Sequence, residues 1–118
     1  MSWLNTPNMM LLERYLGVVT MRQTLVSTNV ANVDTPGYQT RDVDFRGELM
    51  RAMNGEETST TSPFVMKVRG LVARPDGNNV SADREGMLLA EVQLQFKAAT
   101  AVIRAEFNQI STAIREGQ

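Results

Sequence analysis

The chain has 118 residues, a formal net charge of −1 at pH 7, and neither Cys nor His. That length holds one small domain at most, and the near-neutral balance gives no electrostatic case for nucleic acid or for a basic membrane patch. Without Cys and His there are no disulfides, no thiolate or imidazole chemistry and neither of the two best zinc ligands, so the composition points away from an enzyme and from any metal or other cofactor.

Thr6-Pro7 reads as a helix start, with Thr6 as N-cap and Pro7 at the first helical position. The helix is expected to run to about Asn32. Leu12, Leu16, Val19, Val26, Val30 and Val33 form one apolar stripe, and Leu11, Tyr15, Val18 and Leu25 form a neighbouring one. Together they make a face wider than a two-stranded seam needs. Gly17 and the β-branched Val18, Val19 and Thr20 weaken the intrinsic propensity, so this helix is expected to depend on partners. Met9–Leu12 reads as part of a buried face rather than a membrane anchor. The segment has no basic n-region, and Glu13-Arg14 breaks the apolar run, so it does not read as a secretory signal.

Asp34-Thr35-Pro36-Gly37 ends the helix. Pro36 disfavours α geometry at Thr35, and Pro followed by Gly suits a type II turn. Asn29 and Asn32 lie three apart, on one side of the last turn, where their amides can tie the following loop to helix carbonyls. From Arg41 to Met53, charges alternate with Val43, Phe45, Leu49 and Met53, which predicts a short extended piece and then a helical turn. Asp42 and Asp44 sit between Arg41 and Arg46 and read as a solvated, ion-paired loop rather than a metal or acid/base pair. Residues 54–62 read as a disordered polar linker. Residues 64–69 carry partial strand alternation, with residues 71–74 as the expected partner strand and Gly70 as a bend. Pro75-Asp76-Gly77-Asn78-Asn79 is a turn cluster. It lacks the ligand spacing and closing Glu of a calcium loop.

Ser81 is expected to cap a second long helix, with Asp83 and Glu85 in its first turn. The helix should reach about Arg115, with Gly117 just past the end. Its heptad positions are Leu89, Val92, Phe96, Ala99, Ile103, Glu106, Ile110 and Ala113, with Phe107 able to replace Glu106 in its layer. Such a helix is on the order of 50 Å long, longer than a compact domain of this size is wide. The expected fold is therefore mainly α. Two long terminal helices pair as an extended coiled-coil-like core, and the middle is irregular or short β. The divisions within this one domain fall at 1–33 (N-terminal core helix), 34–53 (turn and loop), 54–82 (variable middle with a candidate hairpin) and 83–118 (C-terminal core helix).

Ala31-Asn32-Val33-Asp34-Thr35-Pro36-Gly37-Tyr38 resembles the Ala-Asn-x-x-Thr-Pro-Gly-Tyr signature of bacterial flagellar rod and hook proteins. The continuation Gln39–Phe45 with Glu48-Leu49, the later Asp76-Gly77-Asn78-Asn79-Val80, and Ala90-Glu91 with Gln93–Ala99 look more specifically like the FlgB family of proximal rod proteins. Ser81 stands where that family would have an acidic residue. The resemblance implies a structural, non-enzymatic axial subunit of the flagellar basal-body rod, on the periplasmic side of the inner membrane. It would be exported by the type III apparatus without a cleaved signal and would assemble helically through its terminal helices. Implied partners are copies of itself, FlgC-like and FlgF-like rod proteins, a FliE-like adaptor at the export gate and the inner-membrane MS ring. Nucleic acid and direct membrane insertion are not expected.

The implied assembly surface comprises Asn29, Asn32, Asp34, Thr35, Pro36, Gly37 and Tyr38 with Leu89, Val92, Phe96, Ile103, Phe107 and Ile110 of the second helix. Phe45 and Leu49 fit the Phe-x-x-x-apolar pattern of an export-gate signal, and equally a local core contact. The competing reading is a soluble helical adaptor or type III secretion chaperone, which would be a stable homodimer.

Overall fold

The computed structural model describes residues 6–55 and 65–117. Helix α1 spans Pro7–Ala31, strand β1 Arg41–Val43, helix α2 Phe45–Met53, strand β2 Val65–Lys67 and helix α3 Ala82–Glu116. The molecule measures 68 × 27 × 18 Å, with a radius of gyration of 18.1 Å. A compact chain of this length would have about 13 Å, so the extended shape expected from helix length is present.

The helix ends form where the sequence puts them. The Thr6 hydroxyl accepts from the Met9 amide at 3.2 Å, and Pro7 occupies the first turn. Ser81 accepts from the Arg84 amide at 3.3 Å, and Gly117 caps the other end of α3. The helices run antiparallel. Leu11 and Leu12 of α1 share a cleft with Ala98, Ala99 and Val102 of α3, whereas the last turn of α1 meets Asn78, just before α3 begins. Val18, Val19 and Val26 from α1 and Leu88, Val92 and Ala99 from α3 form the core, joined by Val43 and Val80.

The seam of α3 differs in phase from the expected heptad at both ends. Leu88 is buried and its neighbour Leu89 is 39% exposed, so the stripe enters through Glu85 and Leu88. Val92, Phe96, Ala99, Ile103 and Ile110 face inward as expected, but Ala113 is exposed. Phe107 does not take over the Glu106 layer. Glu106 is half-buried and Phe107 is 50% exposed. On α1, Val30 is also outside the stripe at 50% exposure, because the buried position in that turn belongs to Asn29.

The middle segment needs two further corrections. Strand β2 pairs antiparallel with β1, Arg41 opposite Lys67 and Val43 opposite Val65, and not with residues 71–74. Those residues are irregular after a bend at Gly70, whose φ is +82°. Residue 64 and most of the 54–62 linker lie outside the described residues. The helical turn expected after β1 is a full nine-residue helix, because Asp44 caps it by accepting from the Gly47 amide at 3.2 Å.

Candidate functional site

The signature residues after α1 and the turn cluster before α3 form one interlocked unit. Thr35-Pro36-Gly37-Tyr38 closes a turn in which the Tyr38 amide reaches the Thr35 carbonyl at 3.2 Å and Gly37 takes φ +75°. Gly77 takes φ +85° in the second turn, and a Cβ there would sit 3.4 Å from the Gly37 Cα. Both positions need the left-handed backbone that glycine tolerates. The turns are also hydrogen-bonded to each other, since the Gly37 amide donates to the Asp76 carbonyl at 2.9 Å.

Asparagines lock this knot. Asn78 is fully buried and its amide donates to two carbonyls, Asn32 and Thr35, each at 2.8 Å. Its side-chain oxygen accepts from the Val80 amide at 2.8 Å. Asn79 accepts from the Thr40 amide at 2.6 Å and donates to Gln39, which in turn donates to the Gly77 carbonyl. Arg74 donates to the carbonyls of Val80 and Val33. Asn29, 1% exposed, acts as an extra strand residue. Its amide donates to the Arg41 carbonyl at 2.9 Å, and its oxygen accepts from the Arg41 amide at 3.2 Å and the Tyr38 hydroxyl at 2.9 Å. A helix thereby hydrogen-bonds the free edge of β1, which leaves fewer unsatisfied backbone groups.

Beside the knot lies a charge cluster. Asp42 is only 6% exposed. It accepts from Arg22 of α1 at 3.2 Å and from Arg84 of α3 at 3.4 Å. Arg84 also holds the fully buried Glu85 at 3.1 Å. Asp42 and Asp44 are therefore neither a pair nor a solvated loop. One bridges both long helices and the other caps α2, and the partners of Asp42 are not Arg41 and Arg46. Further along α1, Phe45 packs edge-on against Tyr15, with ring centroids 5.5 Å apart and planes at 81°, and the Arg22 guanidinium lies 5.6 Å from the Phe45 centroid. Burial, and then the charge of Glu91, push the Tyr15 hydroxyl above its ordinary pKa. Glu48, 2% exposed, joins α2 to α1 by accepting from Arg14 and also pairs with Arg51 at 2.6 Å.

The sequence-derived residues divide between these settings. Asn29, Asn32 and Tyr38 are engaged within the chain, with the Asn32 amide on the Thr28 carbonyl at 2.8 Å as expected. Asp34, Thr35, Pro36 and Gly37 have exposed side chains or backbone around the knot, although the Thr35 hydroxyl donates to Asn32 at 3.0 Å. Val92 is in the α1–α3 core, Phe96, Ile103 and Ile110 are half-buried, and Leu89 and Phe107 are substantially exposed. Phe45 and Leu49 are both half-buried, and Phe45 packs against Tyr15 of α1.

Sequence reasoning missed Arg22, Arg84, Glu85 and the roles of Asn78 and Asn79. The charges left a trace. Arg22 stands in line with Val18, Val26 and Asn29 at helical spacing, and Glu85 precedes Leu88 and Val92 at spacing 3-4, so both are charges on an apolar stripe. The asparagines left no periodicity, because apart from Val80 the groups they bond, on Asn32, Thr35, Gln39 and Thr40, lie 39 to 46 residues away.

Among the described residues no group of acidic side chains is placed to hold a metal ion, and no helix is long and apolar enough to cross a membrane. No family model matches the chain. The flagellar basal body rod protein FlgB of Salmonella typhimurium (strain LT2) is 30% identical over 125 residues, covering 89% of this chain and 91% of that protein. The FlgB of Cereibacter sphaeroides is 32% identical over 106 residues, covering 80% and 83%. The FlgB of Borrelia hermsii is 29% identical over 126 residues, covering 89% and 93%. At 30% and 32% identity over 89% and 80% of its residues, the chain belongs to the family of the flagellar basal body rod protein FlgB.

Proposed function

We propose that the chain is a structural subunit of the flagellar basal-body rod and that its work is assembly rather than catalysis. The observation that carries this reading is similarity to rod proteins along nearly the whole chain, at 30% identity over 89% of its residues. The shape supports it. Two long helices pair along one face and leave large apolar side chains such as Met87, Leu94 and Phe107 outside at 74%, 68% and 50% exposure. In a subunit of a helical assembly those faces are covered by neighbours, and the burial offsets the cost of ordering the helix ends.

On this reading the exposed part of the knot, Asp34 to Gly37, and the outer residues of α3 contact adjacent subunits. Asn29, Asn32 and Tyr38 hold that surface in shape from within. The neighbours are copies of the chain and other rod components, FlgC-like and FlgF-like, with the FliE-like adaptor and the MS ring at the base. The subunit reaches the periplasmic side of the inner membrane through the type III apparatus without a cleaved signal. Phe45 and Leu49 serve as the gate signal while the chain is unfolded, and as packing against α1 after folding. The isolated monomer frays at the helix ends, which amide hydrogen exchange of the dilute protein reads directly.

Deleting the chain from its host should abolish motility and rods while ring structures remain. Complementation with Phe45→Ala and Asn32→Ala then separates a chain that stays in the cytoplasm from one that is exported but not incorporated. Normal motility with intact rods would remove the reading and return weight to a soluble adaptor.

A further inference from the structure

Strand β1 has both of its edges in use, and β2 has one. Asn29 holds the Arg41 amide at 3.2 Å and its carbonyl at 2.9 Å, and the Asp42 carboxylate accepts from the Val43 amide at 2.8 Å. On the other edge β2 pairs with β1, Arg41 opposite Lys67, Asp42 opposite Met66 and Val43 opposite Val65. The Val68 amide extends that ladder to the Thr40 carbonyl at 3.0 Å. In an antiparallel ladder, opposite residues alternate between pairs that exchange hydrogen bonds and pairs that do not. Arg41 with Lys67 and Val43 with Val65 are pairs of the second kind. The backbone N–H and C=O of Val65 and Lys67 therefore point away from β1, and no group among the described residues bonds them.

This open edge is exposed and positively charged. All three residues of β2 are exposed, Val65 at 38% and Met66 at 42%. Lys67 stands directly opposite Arg41, a like-charge pair that weakens a ladder. Arg69, two residues on, is exposed as well. None of Arg41, Lys67 and Arg69 has an ion pair among the described residues. The carboxylates of β1 and of the residue after it are already in use. Asp42 holds Arg22 and Arg84 on the opposite face of the ladder, and Asp44 caps α2. Cations on an edge strand oppose pairing with a like strand, β2 of a second copy included. They admit a strand that brings acids.

We propose that the outer edge of β2 takes an extended segment of a partner protein as a third strand, and that this segment alternates acidic and apolar residues. Successive side chains of an added strand point to opposite faces. Its acids fall beside Lys67, with Arg41 one strand further in, and relieve the like-charge pair. Its apolar residues fall beside Met66. Its backbone bonds the N–H and C=O groups that Val65 and Lys67 leave open. The contact goes beyond the rod reading and does not depend on it, and it lies in the middle segment, apart from the two long helices.

The peptide acetyl-Glu-Val-Glu-Val-Glu-Val-amide, titrated into the purified full chain, tests this, with the Lys-for-Glu peptide as control. Amide hydrogen exchange at Lys67 is expected to slow by about tenfold or more with the acidic peptide and to stay unchanged with the basic one. Lys67→Pro removes one outward N–H and leaves the β1 ladder intact. It should weaken acidic-peptide binding by about tenfold, the loss of one hydrogen bond with its charge. Lys67→Glu/Arg69→Glu should reverse the preference between the two peptides, and it decides the matter if the proline variant does not fold. Absence of binding, equal binding of both peptides, or acidic-peptide binding untouched by both variants would overturn the proposal. Binding to vesicles containing phosphatidylglycerol through the same cations, without peptide binding, would also overturn it, by naming a lipid surface as the occupant.

Discussion

At the turn end of the α1–α3 hairpin, Asn29, Asn78 and Asn79 are each no more than 6% exposed. At the other end, Met10, Val102, Phe107 and Ile114 are each at least 46% exposed. The first end closes on itself through short polar side chains that satisfy backbone groups across the chain. The second leaves apolar surface outside and hydrogen-bonds almost only along its own helices. A subunit built this way has one end whose shape is fixed before any partner arrives, and one end whose stability depends on partners. Substitutions should therefore act on different quantities at the two ends, folding at the first and association at the second.

Asp42→Ala should produce the largest loss of folding stability. It removes the carboxylate shared by Arg22 and Arg84 in a largely buried setting and leaves them only Glu91 and Glu85, at a cost of about 3 kcal/mol, the low end for breaking a buried pair. Urea unfolding of the purified chain measures it, and a loss under about 1 kcal/mol would mean that the cluster is solvated in solution. Asn29→Ala should follow at about 2–3 kcal/mol, since the Arg41 amide and carbonyl and the Tyr38 hydroxyl lose their partner together. Hydrogen exchange should accelerate at Arg41 before it does in the α1–α3 core; unchanged exchange there would contradict the strand-like role of Asn29.

Gly77→Ala should cost about 1–2 kcal/mol, because φ of +85° disfavours any Cβ and the new atom would stand 3.4 Å from Gly37. Its effect should be confined to the knot, and a melt that loses α1–α3 helicity in the same step would show that the two ends are one cooperative unit. Ile114→Ser should change folding by no more than about 0.5 kcal/mol, as expected for an exposed side chain. Its effect should appear in incorporation into basal bodies. A variant that folds poorly but assembles normally would reverse the assignment of the two ends.

Much of the architecture follows from local chemistry that is visible along the chain. Thr6-Pro7 and Ser81 start the helices because capping is a contact between residues three apart, and Pro36-Gly37 ends the first helix because ring and Cβ sterics act on the backbone directly. Apolar periodicity fixed that α1 and α3 pair, and their length fixed the extended shape. The family likeness was also legible, since it rests on contiguous residues.

The tertiary structure alone decided the rest. Strand β2 found β1 rather than residues 71–74, because three-residue strands carry too little pattern to choose a partner. Asp42 became a bridge between helices because folding places Arg22 and Arg84, twenty residues before it and forty-two after it, around one carboxylate. The seam of α3 shifted to Glu85, held by Arg84, and to Leu88 in the core, while Leu89 turns outward. Periodicity constrains which residues share a face. Only the packed partner determines which of two adjacent apolar residues is buried, and whether a charge on that face is satisfied there.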